Sequence, residues 1–256
     1  MIKKTIRDIF SRPIFQPVFE KILNFSLKVL NIGEGHTVET SGEKSVFKIL
    51  GKISGNKEAI VFDVGAHTGE WFKLFKKYYT NKSTVYSFEP SMDSYSELSK
   101  IKLESFHAVN MALGDATEKK YLSFDIKGDT SAHISYKKDE TKSMEEINVT
   151  TLDNYCSKNN IKTIDLLKID VEGYELKVLS GAKEMIKNGN IKLIQFEFGA
   201  PSKEKYSIKD FFNILGEQYQ ISRILKHGYY PLKKYHHSYE INTLTNFIAI
   251  KNNCIL

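Results

Sequence analysis

Five acids in this 256-residue chain stand where an apolar run of strand length gives way to a turn: Asp63, Glu89, Asp170, Glu172 and Glu197. The first leads into Gly65-Ala66-His67-Thr68-Gly69. Glycines at 65 and 69 remove side chains that would keep a ligand off the backbone, and the helix expected next offers free N–H groups, so the segment reads as a cradle for a nucleotide-type ligand. It is not a Walker A loop, because no Gly-Lys-Ser/Thr follows, and His67 breaks the dinucleotide pattern G-x-G-x-x-G. An ordinary tight turn is the competing explanation. Glu89-Pro90 follows Gly69 by 20 residues, the separation at which an acid accepts hydrogen bonds from ribose hydroxyls in doubly wound folds. Alone, Glu89 would read as an acid at a helix N-terminus. Ala112-Leu113-Gly114-Asp115 either reaches an adenine edge or forms a Gly-Asp turn.

Asp170 and Glu172, at i and i+2 on a strand exit, point along one side of the chain. Like charges so close need a cation, a proton or a substrate hydroxyl between them, the alternative being a carboxylate cluster at a helix N-terminus. Glu197 lies inside the apolar run Gln195-Phe196-Glu197-Phe198, where an unpaired carboxylate is costly to bury. These three are the candidate catalytic acids. They would serve as a general base or, if a divalent cation is used, as its ligands. Ser131 and His133 fall in a polar stretch and are candidate substrate contacts, with exposed loop residues as the alternative. His227, His236 and His237 have no spaced carboxylate partner and read as surface.

Elements that can bring these residues together recur from residue 58 onward. Strand-length runs at Ala59–Phe62, Thr84–Phe88, Phe106–Asn110, Ile164–Ile169 and Ile191–Phe196 alternate with helix-period segments. One carries Trp71, Leu74, Phe75 and Tyr78; another runs from Leu176 to Ile186 and stops at Gly189. This alternation implies a mostly parallel α/β sheet covered on both faces, with ligands at the carboxyl ends of its strands. Residues 119–148 break the rhythm and read as an excursion over that edge. Ile221–Tyr230 and Phe247–Lys251 are expected to pair antiparallel, since the loop between them is too short for a crossover helix. The expected division is an N-terminal helical, basic extension over 1–57 and a main domain over 58–256. Within the extension, Val18–Leu30 forms a helix with one broad apolar side. That side either packs on the main domain, covers substrate, dimerises or makes a peripheral membrane contact.

With 41% hydrophobic and 12% aromatic residues, the chain is neither disordered nor collagen-like. Its net charge of +6 is concentrated in residues 1–57, which hold 10 Lys/Arg against 5 Asp/Glu, while residues 58–256 hold 27 against 26. A basic segment attracts phosphate or an anionic membrane, or is simply a solvated face. No apolar run is long enough to span a membrane, and no signal-peptide apolar core follows the first lysines. Cys156 and Cys254 match no paired metal-ligand spacing, and so low a cysteine count suits a reducing, cytoplasmic setting.

Six segments together carry a resemblance: VFDVGAHTGEW at Val61–Trp71, SFEP at Ser87–Pro90, NMALGD at Asn110–Asp115, VTTLD at Val149–Asp153, LLKIDVEGYE at Leu166–Glu175 and IQFEF at Ile194–Phe198. In order and spacing they resemble the FkbM family of S-adenosylmethionine-dependent methyltransferases. The resemblance implies a Rossmann-like class I methyltransferase sheet of seven strands. It implies that Asp63, Gly65, Ala66, His67, Thr68 and Gly69 hold the methionine part of S-adenosylmethionine, that Glu89 with Pro90 holds its ribose, and that Ala112, Leu113 and Asp115 border its adenine. It also implies O-methylation of a sugar, glycan or polyketide-like hydroxyl, as in surface-polysaccharide synthesis. Competing functions are methylation of nucleic acid or protein, a nicotinamide-dependent oxidoreductase, and a scaffold without activity. The first lacks the Asn/Asp-Pro-Pro-Tyr signature of amine methylation, the second lacks G-x-G-x-x-G, and the third gains nothing from acids gathered at one edge. The expected partner is a small-molecule or glycan acceptor, with no nucleic acid.

Overall fold

The alternation of apolar runs and amphipathic segments folds, in this computed structural model, into a twisted sheet with helices on both faces and a smaller sheet beside it. The structure describes residues 7–33, 41–124, 133–135, 143–199, 206–241 and 243–254. Among the described residues, α1 (Gln16–Val29), preceded by a 3-10 turn at Pro13–Phe15, and α2 (Glu43–Ser54) lie ahead of the first strand. There follow β1 (Ala59–Val64), α3 (Glu70–Tyr78), β2 (Ser83–Phe88), α4 (Met92–Leu98) and β3 (Phe106–Val109). The smaller sheet uses β4 (Ala112–Leu113), β5 (Glu118–Phe124), β6 (His133–Ser135) and β7 (Ser143–Thr150). The chain then forms α5 (Leu152–Lys158), β8 (Ile164–Ile169), α6 (Glu175–Ser180), α7 (Lys183–Lys187) and β9 (Ile191–Phe198). It ends with α8 (Ile208–Leu215), β10 (Tyr219–Leu225), β11 (Gly228–Pro231) and β12 (Thr245–Lys251).

The main sheet has the order β11-β10-β12-β9-β8-β1-β2-β3. Strands β3, β2, β1, β8 and β9 are parallel, and β12, β10 and β11 continue the sheet antiparallel. The sheet thus has eight strands where seven are expected. The run read as one strand over Ile221–Tyr230 folds back at Lys226-His227, and its second half, β11, adds the eighth. The expected antiparallel pairing of β10 with β12 is present.

Alternate residues of the central strands feed two cores. Phe62, Leu167, Ile169, Phe196 and Phe247 pack against α5 to α8, with Phe196 and Phe211 stacked at 4.4 Å. On the other face Val61, Leu166 and Leu193 meet Trp71 and Phe75 of α3 and Val46, Phe47 and Leu50 of α2. Glu43–Ser54, although part of the basic extension, is therefore a wall of the main core.

Two local readings differ from the structure. Residues 119–148 contribute most of a four-stranded sheet, because Leu122, Ile147 and Val149 alternate with polar residues and bury a small core of their own with Ala112. The helix read from Leu176 to Ile186 is broken into α6 and α7 at Gly181. A Cβ there would lie 1.9 Å from the Gly114 carbonyl oxygen, and the Gly181 carbonyl accepts from the Asp153 N–H. Close docking of this segment onto the second sheet interrupts the helix.

Candidate active site

Ser87, Asp63, Lys168 and Gln195 occupy matching positions on four neighbouring parallel strands: Asp63 is paired with Ser87 and with Lys168, and Lys168 with Gln195. Because side chains alternate across a strand, all four point toward the α2/α3 face and form a polar row one step inside the carboxyl edge. Lys168 Nζ lies 3.1 Å from Asp63 Oδ1 and 3.2 Å from Asp170 Oδ2. Ser87 Oγ donates to Asp63 Oδ2. From above, the first turn of α2 delivers Glu43, whose carboxylate accepts from Gln195 Nε2 and Ser41 Oγ. Asp63 is fully buried, and Lys168, Gln195 and Glu43 nearly so. Burial on its own would drive a proton off Lys168, but Asp63, Asp170 and Glu43 outweigh it and raise the lysine well above its usual range. Burial pushes the Glu43 carboxyl up, against the opposing pull of Lys168.

Above this row the strand exits are stitched together by backbone hydrogen bonds. Gly65 and Ala66 N–H donate to the Phe88 carbonyl, Asp170 N–H to the Val64 carbonyl and Glu89 N–H to the Val109 carbonyl. Gly65 has φ +83°, and a Cβ on it would sit 1.8 Å from the Asp170 carbonyl oxygen. Its missing side chain is therefore needed first by the chain itself, so that the exits of β1 and β8 can touch. His67 and Glu172 both adopt the left-handed region, at φ 47° and 50°, an uncommon conformation for non-glycine residues that concentrates at ligand clamps and active sites.

A cleft of about 880 Å³, measured out to its open mouth, lies over these exits. Of the residues expected to face a cofactor, Gly65, His67, Glu89, Pro90, Ala112 and Leu113 line it. Glu89 Oε2 accepts from the His67 N–H at 2.9 Å and Oε1 from the Ser91 N–H at 2.8 Å. Burial pushes its carboxyl up to about 7, against the opposing effect of those two bonds. Across the cleft, Leu113, Leu122 and Ile134 supply an apolar wall. An acid beside an apolar slot suits a nucleoside, whose sugar donates hydrogen bonds and whose base seeks apolar cover.

The remaining expected cofactor residues are not part of that lining. Asp63 is held below by Lys168, Ala66 is buried, and Thr68 Oγ1 contacts the His67 ring at 3.4 Å. Gly69 packs against Leu98 and Ile101. Asp115 is ion-paired to Lys177 at 2.9 Å.

Of the expected catalytic acids, Asp170 and Glu172 line the cleft. Glu197 is buried on the same face of β9 as Gln195, and burial together with Asp170, Glu172 and Glu175 pushes its carboxyl up to about 8. The three acids thus share one electrostatic neighbourhood. Among the described residues, however, no group of three or more His, Cys, Asp or Glu is arranged to hold a metal ion, so the divalent-cation reading finds no donor set. Ser131 lies outside the described residues; His133 opens β6 opposite Ser123, next to the wall residue Ile134.

Lys168, Glu43 and Gln195 were not among the expected site residues, nor was Glu175, whose buried carboxylate accepts from the Val171 and Gly173 N–H groups and the Tyr206 hydroxyl. A polar residue at the same place in three successive apolar strands was the available signal for Lys168 and Gln195; Glu43 carried none.

Breaking a buried ion pair on one side strands the other charge. Lys168→Met is expected to lower unfolding free energy by about 3–5 kcal/mol in urea titrations, and adding Asp63→Asn should recover part of the loss. A single substitution indistinguishable from the parent would show that the pair carries no structural weight.

The family model described as the methyltransferase FkbM domain matches residues 63–229. Hexuronic acid methyltransferase AglP of Haloferax volcanii is 23% identical over 169 residues, covering 64% of this chain and 66% of that protein, just short of two thirds of its length. Among solved structures, methyltransferase FkbM from Methylobacillus flagellatus KT aligns with a TM-score of 0.47 at 16% identity, over 74% of this chain and 43% of that one. The plantazolicin methyltransferase BpumL, solved in complex with SAH, aligns with a TM-score of 0.46 at 10% identity, over 96% of this chain and 93% of that one. The family model spans more than half of the sequence and contains the glycine turn and all five edge acids, and on that match the chain belongs to the FkbM methyltransferase family.

Proposed function

We propose that this chain is an S-adenosylmethionine-dependent O-methyltransferase acting on a hydroxyl of a sugar or glycan. The observation that carries the reading is the cleft bordered by the Gly65–His67 turn and Glu89 on one side and by Asp170 and Glu172 on the other. Family membership supports the reaction class. The relative named as a hexuronic acid methyltransferase supports a sugar acceptor. Carboxylates at the cleft mouth disfavour a phosphate backbone, which weakens the nucleic-acid alternative.

In this reading Glu89 accepts the ribose hydroxyls, Ala112 and Leu113 with the apolar wall cover the adenine, and the Gly65–His67 turn receives the methionine portion. When bound, the cofactor's sulfonium supplies an electrophilic methyl group. Asp170 and Glu172 would hold the acceptor and orient its hydroxyl in the cleft they line, and a carboxylate would take up the hydroxyl proton. Glu197 is the candidate for that duty: it is buried outside the cleft lining but in the electrostatic neighbourhood of Asp170 and Glu172, with its carboxyl raised to about 8.

Donation from ribose hydroxyls favours the ionised form of Glu89, whose folded-state carboxyl lies at about 7. Affinity for S-adenosylhomocysteine, read by calorimetry, is therefore expected to rise as pH increases through 7 and to lose that dependence in Glu89→Gln. Equal pH dependence in the two proteins would remove Glu89 from the ribose site.

The activity itself is tested by incubating the chain with methyl-labelled cofactor and a panel of nucleotide sugars, lipid-linked sugars and oligosaccharides, then locating the label. The expected product is a sugar methyl ether, formed faster as pH rises through about 8, the value to which Glu197 is raised. Glu197→Gln should lower kcat by about 10²–10⁴ and abolish that limb. Label found in nucleic acid or protein instead of carbohydrate would overturn the acceptor assignment.

A further inference from the structure

Helix α1 has no buried residue. Val18, Phe19, Ile22, Leu23, Phe25, Val29 and Leu30 are each between 41% and 68% exposed. At 100° per residue they fall within about 160° of the helix circumference. Lys21 and Lys28 sit together beyond the Phe25 border of that arc, while Glu20 and Asn24 lie on the side away from it. Ile9, Phe10 and Ile14, just before the helix, are also exposed, and Arg7 and Arg12 stand among them. A solvated surface helix does not normally leave so continuous an apolar face uncovered.

The helix is nonetheless rooted firmly in the body. Asn31, buried at its end, donates through Nδ2 to the carbonyl oxygens of Ser41 and Ile224, and Gly33 N–H donates to the Leu244 carbonyl. The Ser41 and Ile224 anchors lie within three residues of Lys44 and Lys226. There a second, independent feature begins: a groove between α2 and the β10–β11 turn, lined by Lys44, Lys48, Lys52, Lys226 and His227, with no carboxylate in its lining. Gly228 N–H donates to Ser45 Oγ and ties the turn to α2.

We propose that α1 and this lysine groove together form a docking surface for an anionic lipid bilayer, with α1 lying in the interface plane. The apolar arc enters the headgroup–acyl boundary, and Lys21 and Lys28, at the edge of the arc, extend along the surface to lipid phosphates. The groove lysines add attraction to anionic headgroups. A second copy of the chain is the other occupant such a face could take, and sedimentation velocity separates the two.

The test is co-sedimentation of the full chain with vesicles of phosphatidylcholine alone and of equimolar phosphatidylcholine and phosphatidylglycerol, with sedimentation velocity in parallel. Binding is expected to be at least about tenfold stronger to the anionic vesicles and to weaken with salt. Ile22→Glu with Phe25→Glu, both at exposed positions, should abolish it while leaving the thermal melt unchanged. Lys48→Glu with Lys226→Glu should reduce binding to anionic vesicles by about tenfold and flatten its salt dependence. The proposal is overturned if anionic vesicles recover no more chain than neutral ones, or if the Ile22/Phe25 variant binds like the parent. It is equally overturned if the chain sediments as a dimer that this variant splits, since a second copy would then cover the face.

Discussion

Burying an ammonium group among apolar side chains costs several kcal/mol unless opposite charges and hydrogen bonds come with it. Lys168 has both, from Asp63 on β1, from Asp170 at its own strand exit and from Glu43 on α2. The pairing spans two strands and reaches a helix from the basic extension, so it fixes how the exits of β1 and β8 meet. That meeting decides the shape of the cleft, because Gly65 touches the Asp170 backbone and the Val64 carbonyl receives the Asp170 N–H. Asp170, half-exposed at the cleft, is thereby held from below by a charge that cannot leave.

Two electrostatic regimes then coexist within one edge. In the row beneath the cleft burial raises the Asp63 and Glu43 carboxyls as well, but Lys168 stands close by to oppose it. At and beside the cleft, Glu89 and Glu197 have no cation as their main partner, and burial raises both toward neutral pH. Groups poised in that range are the ones able to exchange a proton or respond to a ligand's hydrogen bonds. The distinction comes from how near each acid stands to Lys168, since Glu197 shares the face of Gln195 and Asp63 but lies two residues beyond the row.

Much of this was legible in the sequence because central parallel strands advertise themselves as short, nearly continuous apolar runs bounded by turns. Ile164–Ile169 is legible with its observed bounds, and the carboxyl-edge location of Glu89, Asp170 and Glu172 follows from their standing where such runs end. The second sheet was not legible, since its strands β5 and β7 are half polar and lie in a stretch rich in charge. Gly181 looked like an ordinary helix residue, because the close approach of Gly114 that breaks the helix is a tertiary fact. Asp63 was read as facing a ligand; only the register, which sets it opposite Lys168, shows that its carboxylate is already taken. Glu43 joins the network from 152 residues before Gln195, a partnership no local pattern encodes.

A crystal structure of the chain with S-adenosylhomocysteine tests the central claim most directly. The account predicts ribose hydroxyls within hydrogen-bonding distance of Glu89, adenine against Ala112 and Leu113, and Lys168 still bridging Asp63 and Asp170 beneath the Gly65–His67 turn. A nucleoside bound elsewhere on the sheet, or Lys168 turned up into the cleft with Asp63 left alone, would contradict it.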